Sequence, residues 1–233
     1  MATALIIAGG VGKRMGMDIP KQFIMVDGKP IIIYTLESFQ AHPDVDQILV
    51  VCKEGWDEIL WGYVHQYKLD KVKWIIKGGT LGQYSINNGV QFLKDHCDDD
   101  DIVVIHDGIR PLVDELVLSD VIVKAKEYGN AVTSMPYNEQ IFVKKTEETT
   151  TQYIERNTLR RVSTPQAYQF GKLSWAYDKA VAEDIGMTDS SYTNTMMVDL
   201  GETLHFAAGS DKNIKLTTTG DLQMFKAYLN MKA

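Results

Sequence analysis

Residues 4 to 23 read ALIIAGGVGKRMGMDIPKQF. An apolar run falls into Gly9, Gly10 and Gly12, then Lys13 and Arg14, then Pro20, Lys21 and Gln22. Glycine lets a backbone come close to a ligand, and clustered amides beside cations suit an anion. The chemistry implied is the handling of phosphate. Three other places carry related groups. Gly78 and Gly79 precede Ser85; His106 and Asp107 precede Arg110; and Lys215 stands in the stretch NIKLTT. One such place would be weak evidence, but four favour a site for a phosphate compound.

Two familiar glycine loops do not fit. A P-loop requires a serine or threonine after its lysine, and Lys13 is followed by Arg14. A dinucleotide loop requires a third glycine where Met15 stands, and its acid after the second strand has only the poorly matched Glu54.

These residues need elements to hold them. Apolar runs of strand length occur at 3–8, 47–52, 72–77, 101–106, 131–135 and 203–208. Several are unbroken Val/Ile stretches, the pattern of parallel strands buried on both faces. Helical patterns lie between them, one starting at Pro30 and others near 55–68, 80–95, 114–128, 171–184 and 219–230. The alternation predicts a Rossmann-like three-layer α/β sandwich with a mostly parallel sheet and right-handed crossovers. Each chemical group then falls just past a strand, where open parallel sheets bind ligands. The polar, threonine-rich segment 137–163 breaks the rhythm and reads as a protruding two-stranded β-arm. The whole, 1–233, is expected to be one domain.

With 45% hydrophobic and 24% charged residues the composition is that of a globular protein. The net charge of −7 argues against a nucleic-acid partner. No apolar stretch approaches the roughly 20 residues of a membrane span, and the N-terminus lacks signal-peptide features. Two cysteines, Cys52 and Cys97, make no disulfide framework and read as small apolar fillers. A cytoplasmic location is expected.

The blocks AGGVGKRM…PKQF, GG…S, HDGIRPLV, STPQAY, TD and NIKLTT…DL together resemble the 2-C-methyl-D-erythritol 4-phosphate cytidylyltransferase family and its ribitol 5-phosphate relatives. The likeness runs in order from Thr3 to Leu229. It implies transfer of CMP from CTP to a polyol phosphate, methylerythritol 4-phosphate first and isoprenoid biosynthesis with it. The alternative is ribitol 5-phosphate or another polyol phosphate for cell-surface polymers. The resemblance also implies roles. Ala8, Gly9 and Gly10 would hold the nucleotide, and Arg14 and Lys21 its triphosphate. Gly79 and Ser85 would line the cytosine pocket. Asp107 would ligate Mg2+, and Lys215 would face the α-phosphate. Arg110, Gln140, Arg156 and Thr164 would meet the acceptor, with the arm reaching a second subunit in a homodimer. Positioning and electrostatics are the main tasks of such a transfer.

Departures from the family pattern are specific. Gly82 and Tyr84 stand where relatives carry arginine and aspartate, Glu139-Gln140 replaces Asp-Thr in the arm, and Gly108-Ile109 replaces two small residues. They leave the nucleotide machinery largely intact and put the acceptor in question. Two other functions stay open: a non-catalytic partner subunit, and a uridylyl- or guanylyltransferase for a sugar 1-phosphate. Plainer readings stand beside the functional ones. Lys13 is a solvated neighbour, His106 orients a strand end, Arg110 caps a loop or serves the site, and Asp189 caps a helix. Asp211 is a turn residue or a second metal ligand, Met196 and Met197 are packing residues, and Asp98–Asp101 is a solvated turn.

Overall fold

A computed structural model describes residues 1–10, 19–188 and 192–231. Gly12, Lys13, Arg14 and Asp189 lie outside the described residues.

The first apolar run forms β1 (Ala2–Ala8) at the centre of the sheet. It pairs in parallel with β4 (Gln47–Cys52) on one side and β6 (Ile102–Asp107) on the other. Beyond β4 lies β5 (Val72–Lys77), also parallel. Beyond β6 come β10 (Arg160–Gln169), β7 (Asn130–Pro136) and β11 (Phe206–Ala208). The seven-stranded order is β11-β7-β10-β6-β1-β4-β5, and β10 alone runs antiparallel. The small hairpin β2 (Met25–Val26) and β3 (Lys29–Pro30) precedes the first helix.

Alternation along the strands builds the layers. Ala4, Ile6, Ile48, Val50 and Val104 pack against α1 (Ile31–Ala41), α2 (Asp57–Gln66) and α4 (Glu115–Tyr128). Leu5, Leu49, Val51, Val103 and Ile105 pack on the other face, against α3 (Gly82–Leu93), α5 (Phe170–Glu183) and α6 (Thr193–Asp199). The continuous Val/Ile runs thus serve two apolar layers at once. A third cluster gathers Phe225 of α7 (Thr219–Asn230) with Ile24, Ile31, Ile109 and Leu216. It seats the chain before α7 under the carboxyl ends of the strands.

Some boundaries differ from the sequence reading. Strand β11 is shorter than the apolar run 203–208 suggests, and α6 has no counterpart among the expected helices. A helix of one and a half to two turns carries too little periodicity to stand out. The arm proper is β8 (Ile141–Lys144) paired with β9 (Thr150–Ile154). Arg160–Ser163, expected in the arm, pair with β7 instead. The Asp98–Asp101 turn is not uniformly solvated. Asp101 is buried, receives the terminal ammonium of Met1 at 2.7 Å and accepts from the Asp98 amide. Met196 and Met197 are buried core residues, and Cys52 is buried.

Candidate active site

Four strand ends converge on a cavity of about 580 Å³. Its wall includes Ala8, Gly9 and Gly10 after β1, Cys52 to Glu54 after β4, Lys77 to Gly82 with Ser85 after β5, and Asp107 ending β6. Lys21 and Lys215 complete it.

Close packing explains two of the glycines, whereas Gly10 faces open space. A Cβ on Gly9 would sit 3.2 Å from Ser85 Oγ, and one on Gly79 would sit 2.6 Å from Tyr84 Cβ. Ser85 Oγ accepts from the Gly79 amide at 3.0 Å and donates to the Leu81 carbonyl at 3.1 Å. One hydroxyl therefore fixes the loop before α3. Gln22 does the same for the first loop: its buried amide donates to the carbonyls of Ala8 at 2.6 Å and Gly10 at 3.2 Å. Lys21 precedes it, in a one-turn 3₁₀ helix entered from Pro20.

Asp107 is the electrostatic centre. Its Oδ1 accepts from Lys215 Nζ at 2.9 Å, and its Oδ2 accepts from Arg110 Nε at 2.9 Å. Burial opposes its charge, but Lys215 and Arg110 outweigh that and hold the carboxyl well below the usual carboxylate range. Strand β10 shifts register against β7 between Ser163 and Gln166, a kind of irregularity that re-aims side chains. In that break Thr164 Oγ1 accepts from the Asp107 amide at 3.1 Å and donates to Oδ2 at 3.3 Å.

The segment bearing Lys215 is anchored to the same corner. Arg110 donates through its second nitrogen to the Asn213 carbonyl at 2.8 Å, and Asn213 Nδ2 donates to the Thr164 carbonyl at 2.7 Å. The Leu216 amide donates to Ile109 at 2.9 Å. Beneath them His106 is fully buried, and its Nε2 lies 3.1 Å from the Arg110 carbonyl. Burial holds this imidazole at about 4, so it is neutral at ordinary pH and donates from Nε2. It orients the strand-end loop, as expected. Cys52 has its thiol pushed up to about 12 by burial, which leaves it unreactive.

The structure brings Ala8, Gly9, Gly10, Lys21, Gly79, Ser85, Asp107 and Lys215 into one cavity, with Arg110 and Thr164 bound to Asp107. Arg14 lies outside the described residues. Gln140 and Arg156 lie on the arm, outside the lining of that cavity; Arg156 faces the Asn138 carbonyl at 3.4 Å. Asp211 pairs with Arg161 at 2.9 Å. Among the described residues no three His, Cys, Asp or Glu side chains stand together as a metal cluster.

Two contributors escape sequence reasoning. Gln22 was visible only as the neighbour of Lys21, and a lone glutamine in a turn carries no chemical signature. Gln83 is buried in the first turn of α3. It donates to the Gly186 carbonyl at 2.9 Å and accepts from Tyr177 at 3.1 Å; Tyr177 in turn shares a hydrogen bond with Thr193 at 2.8 Å. This chain of bonds ties the helix carrying Ser85 to α5 and α6.

Comparison with known proteins agrees with this geometry. The family model described as IspD, 2-C-methyl-D-erythritol 4-phosphate cytidylyltransferase, matches residues 2–231. The chain is 71% identical to a ribitol-5-phosphate cytidylyltransferase of Lacticaseibacillus paracasei, over 100% of this chain and 99% of that one. It is 36% identical to the 2-C-methyl-D-erythritol 4-phosphate cytidylyltransferase of Clostridium acetobutylicum, over 95% of this chain and 94% of that one. The crystal structure of the Francisella tularensis 2-C-methyl-D-erythritol 4-phosphate cytidylyltransferase superposes with a TM-score of 0.80 at 25% identity, covering 100% of both chains. A match of the family model across almost the whole chain, relatives similar from end to end and a strand-end cavity lined by the expected residues lead to one conclusion: the chain belongs to the 2-C-methyl-D-erythritol 4-phosphate cytidylyltransferase (IspD) family and is a CTP-dependent cytidylyltransferase.

Proposed function

We propose that this cytidylyltransferase uses ribitol 5-phosphate as its acceptor, giving CDP-ribitol and pyrophosphate. The observation that carries the reading is the 71% identity, along the whole chain, to a ribitol-5-phosphate cytidylyltransferase, against 36% for the methylerythritol enzyme. Methylerythritol 4-phosphate and the isoprenoid pathway, which the sequence resemblance put first, are therefore the less supported alternative. The changes at Glu139 and Gln140 point the same way, because they fall where the resemblance puts acceptor contacts.

The chain's own groups supply the chemistry. An acceptor phosphate oxygen attacks the α-phosphorus of CTP and forms a new P–O bond. The bond from the α-phosphorus to its bridging oxygen breaks, and the electron pair leaves with pyrophosphate. Two polyanions must meet, so Lys21, Lys215 and Arg110 offset their repulsion and steady the charge spreading over the transferred group. Gly9, Gly10 and Gly79 let the nucleotide approach the backbone, and Ser85 keeps the base-facing loop in place. In our reading Asp107 also holds magnesium. Its ionised carboxylate lines the cavity, and a single carboxylate completed by substrate phosphates is a usual way to bind that ion. When bound, the ion would neutralise phosphate charge.

We further place the acceptor site at a homodimer interface formed by the arm. Phe142, Val143 and Tyr153 of β8 and β9 are exposed apolar side chains, and these strands pair only with each other among the described residues. Such a surface suits a second copy that would bring Gln140 and Arg156 to the site. A cytoplasmic setting fits the two free cysteines; among the described residues no helix is long and apolar enough to cross a membrane. The test is CDP-product formation from CTP with ribitol 5-phosphate and with methylerythritol 4-phosphate. A kcat/KM at least about ten-fold higher for ribitol 5-phosphate is expected; preference for methylerythritol phosphate would overturn the reading.

A further inference from the structure

A second cavity, of about 240 Å³, adjoins the nucleotide cavity, and Lys215 lines both. Arg110 lines its inner end, where the two cavities meet near Asp107. An exposed ion pair stands at its other end. Arg161 on β10 donates to Asp211 Oδ1 at 2.9 Å, and both residues line the cavity with Ser163 and Ser210. Hydroxyls, a carboxylate and a guanidinium thus share this small space with the apolar side chains of Met135 and Val162.

We propose that this cavity holds the carbon chain of the acceptor, and that Arg161 and Asp211 read its distal hydroxyls. The inference rests on the reading that the acceptor is a polyol phosphate. Three physical arguments carry it. First, an acceptor attacking beside Lys215 has its phosphate at the junction, so its chain must leave away from CTP, and the second cavity opens there. Second, the chemistry matches: a carboxylate has about four lone-pair sites, so Asp211 can keep Arg161 and still accept from hydroxyls. Arginine holds a fixed fork of donors, and its charge is never lost. Third, the readers are set in place beforehand. Arg161 sits on a strand of the main sheet, next to Met135. The loop carrying Asp211 starts at Gly209, where a Cβ would lie 2.8 Å from the Ser134 carbonyl, and ends at Lys215 in its ion pair. Asp211 and the reacting-end cation Lys215 thus share one short loop, and Arg161 faces it from β10. The spacing between them sets an acceptor length.

The experiment uses the full-length protein and two acceptors differing by one carbon at the distal end, ribitol 5-phosphate and erythritol 4-phosphate. Steady-state kcat/KM is measured for wild type, Asp211→Asn and Arg161→Gln; where the shorter acceptor is not turned over, its Ki against ribitol 5-phosphate is measured instead. Hydrogen bonds to charged groups are worth enough that each variant should lose roughly ten- to a hundred-fold in kcat/KM for ribitol 5-phosphate. The KM for CTP, the Ki or kcat/KM of erythritol 4-phosphate and the melting temperature should stay near wild type. The proposal is overturned if both variants keep ribitol 5-phosphate kcat/KM within two-fold of wild type. It is equally overturned if the loss is shared by the shorter acceptor or by CTP. Wild-type behaviour separates this from the functional reading: a protein that prefers another polyol phosphate refutes ribitol as acceptor, and the same variants assayed with that compound still decide whether the cavity reads its chain.

Discussion

The strand-end cavity and the β-arm are built on opposite principles. Around the cavity, polar groups are buried or half-buried and each is held by neighbours: Gln22 by two carbonyls, Ser85 by an amide and a carbonyl, Asp107 by two cations and a hydroxyl. On the arm, β8 and β9 expose Phe142, Val143 and Tyr153, and among the described residues they pair only with each other. The first region has its geometry fixed before any ligand arrives, which is what stabilising a phosphoryl transition state requires. The second can change without disturbing the fold, and in the proposed function it is the part that reaches the acceptor. Nucleotide chemistry belongs to the braced strand ends.

That contrast is broken most severely at Asp107. Asp107→Asn keeps the shape and removes the charge that Lys215 and Arg110 grip, as well as the proposed metal ligand. Losing that electrostatic support is worth several kcal/mol, so kcat should fall roughly a thousand-fold or more. EDTA should abolish wild-type activity and magnesium restore it. Full turnover in metal-free buffer would refute the metal, and near-normal turnover by the variant would refute the centre itself. Lys21→Ala should follow, with about 10²–10³ lost from kcat at saturating CTP and an unchanged melting temperature. A wild-type kcat there would remove Lys21 from the machinery.

How much of this was legible in the sequence follows the same division. Strands β1 and β4 stand where their apolar runs were, because burial on both faces leaves a plain mark. The strand-end residues were visible because glycine, cation and carboxylate follow those runs directly. Strand β10 was hidden by its polar first half, Arg160 to Ser163, which looked like arm until its pairing with β7 was seen. The holding groups Gln22 and Gln83 were hidden for another reason. What they do depends on partners far away in sequence, such as Gly186 for Gln83, and no local pattern records such a contact. Arg14 lies outside the described residues, so the sequence remains the source of that assignment.

A milder effect is expected on the arm. Gln140→Thr should shift the ratio of kcat/KM toward methylerythritol 4-phosphate by roughly one to two decades, since a mismatched polar group costs about 1–3 kcal/mol. The KM for CTP should not move. An unchanged ratio would mean that Gln140 does not read the acceptor.

The smallest change tests the comparison most directly, because the same atom can be removed in both regions. Tyr177→Phe deletes a hydroxyl that is fully buried between Gln83 Oε1 at 3.1 Å and Thr193 Oγ1 at 2.8 Å. Both partners stay buried and lose a bond, so the fold should lose about 1–3 kcal/mol, read as a lower denaturation midpoint at constant slope. Tyr153→Phe deletes the hydroxyl that meets Glu155 at 3.2 Å on the exposed arm. Water replaces that bond, and stability should stay within about 0.5 kcal/mol. Tyr177→Phe should also raise the KM for CTP more than it lowers kcat, because Gln83 stands two residues before Ser85 on the same turn of α3 and no catalytic cation is touched. Equal stability losses in the two variants would erase the distinction between braced core and free arm. A KM left at its wild-type value would show instead that Ser85 keeps the base-facing loop in place without the buried bonds behind it.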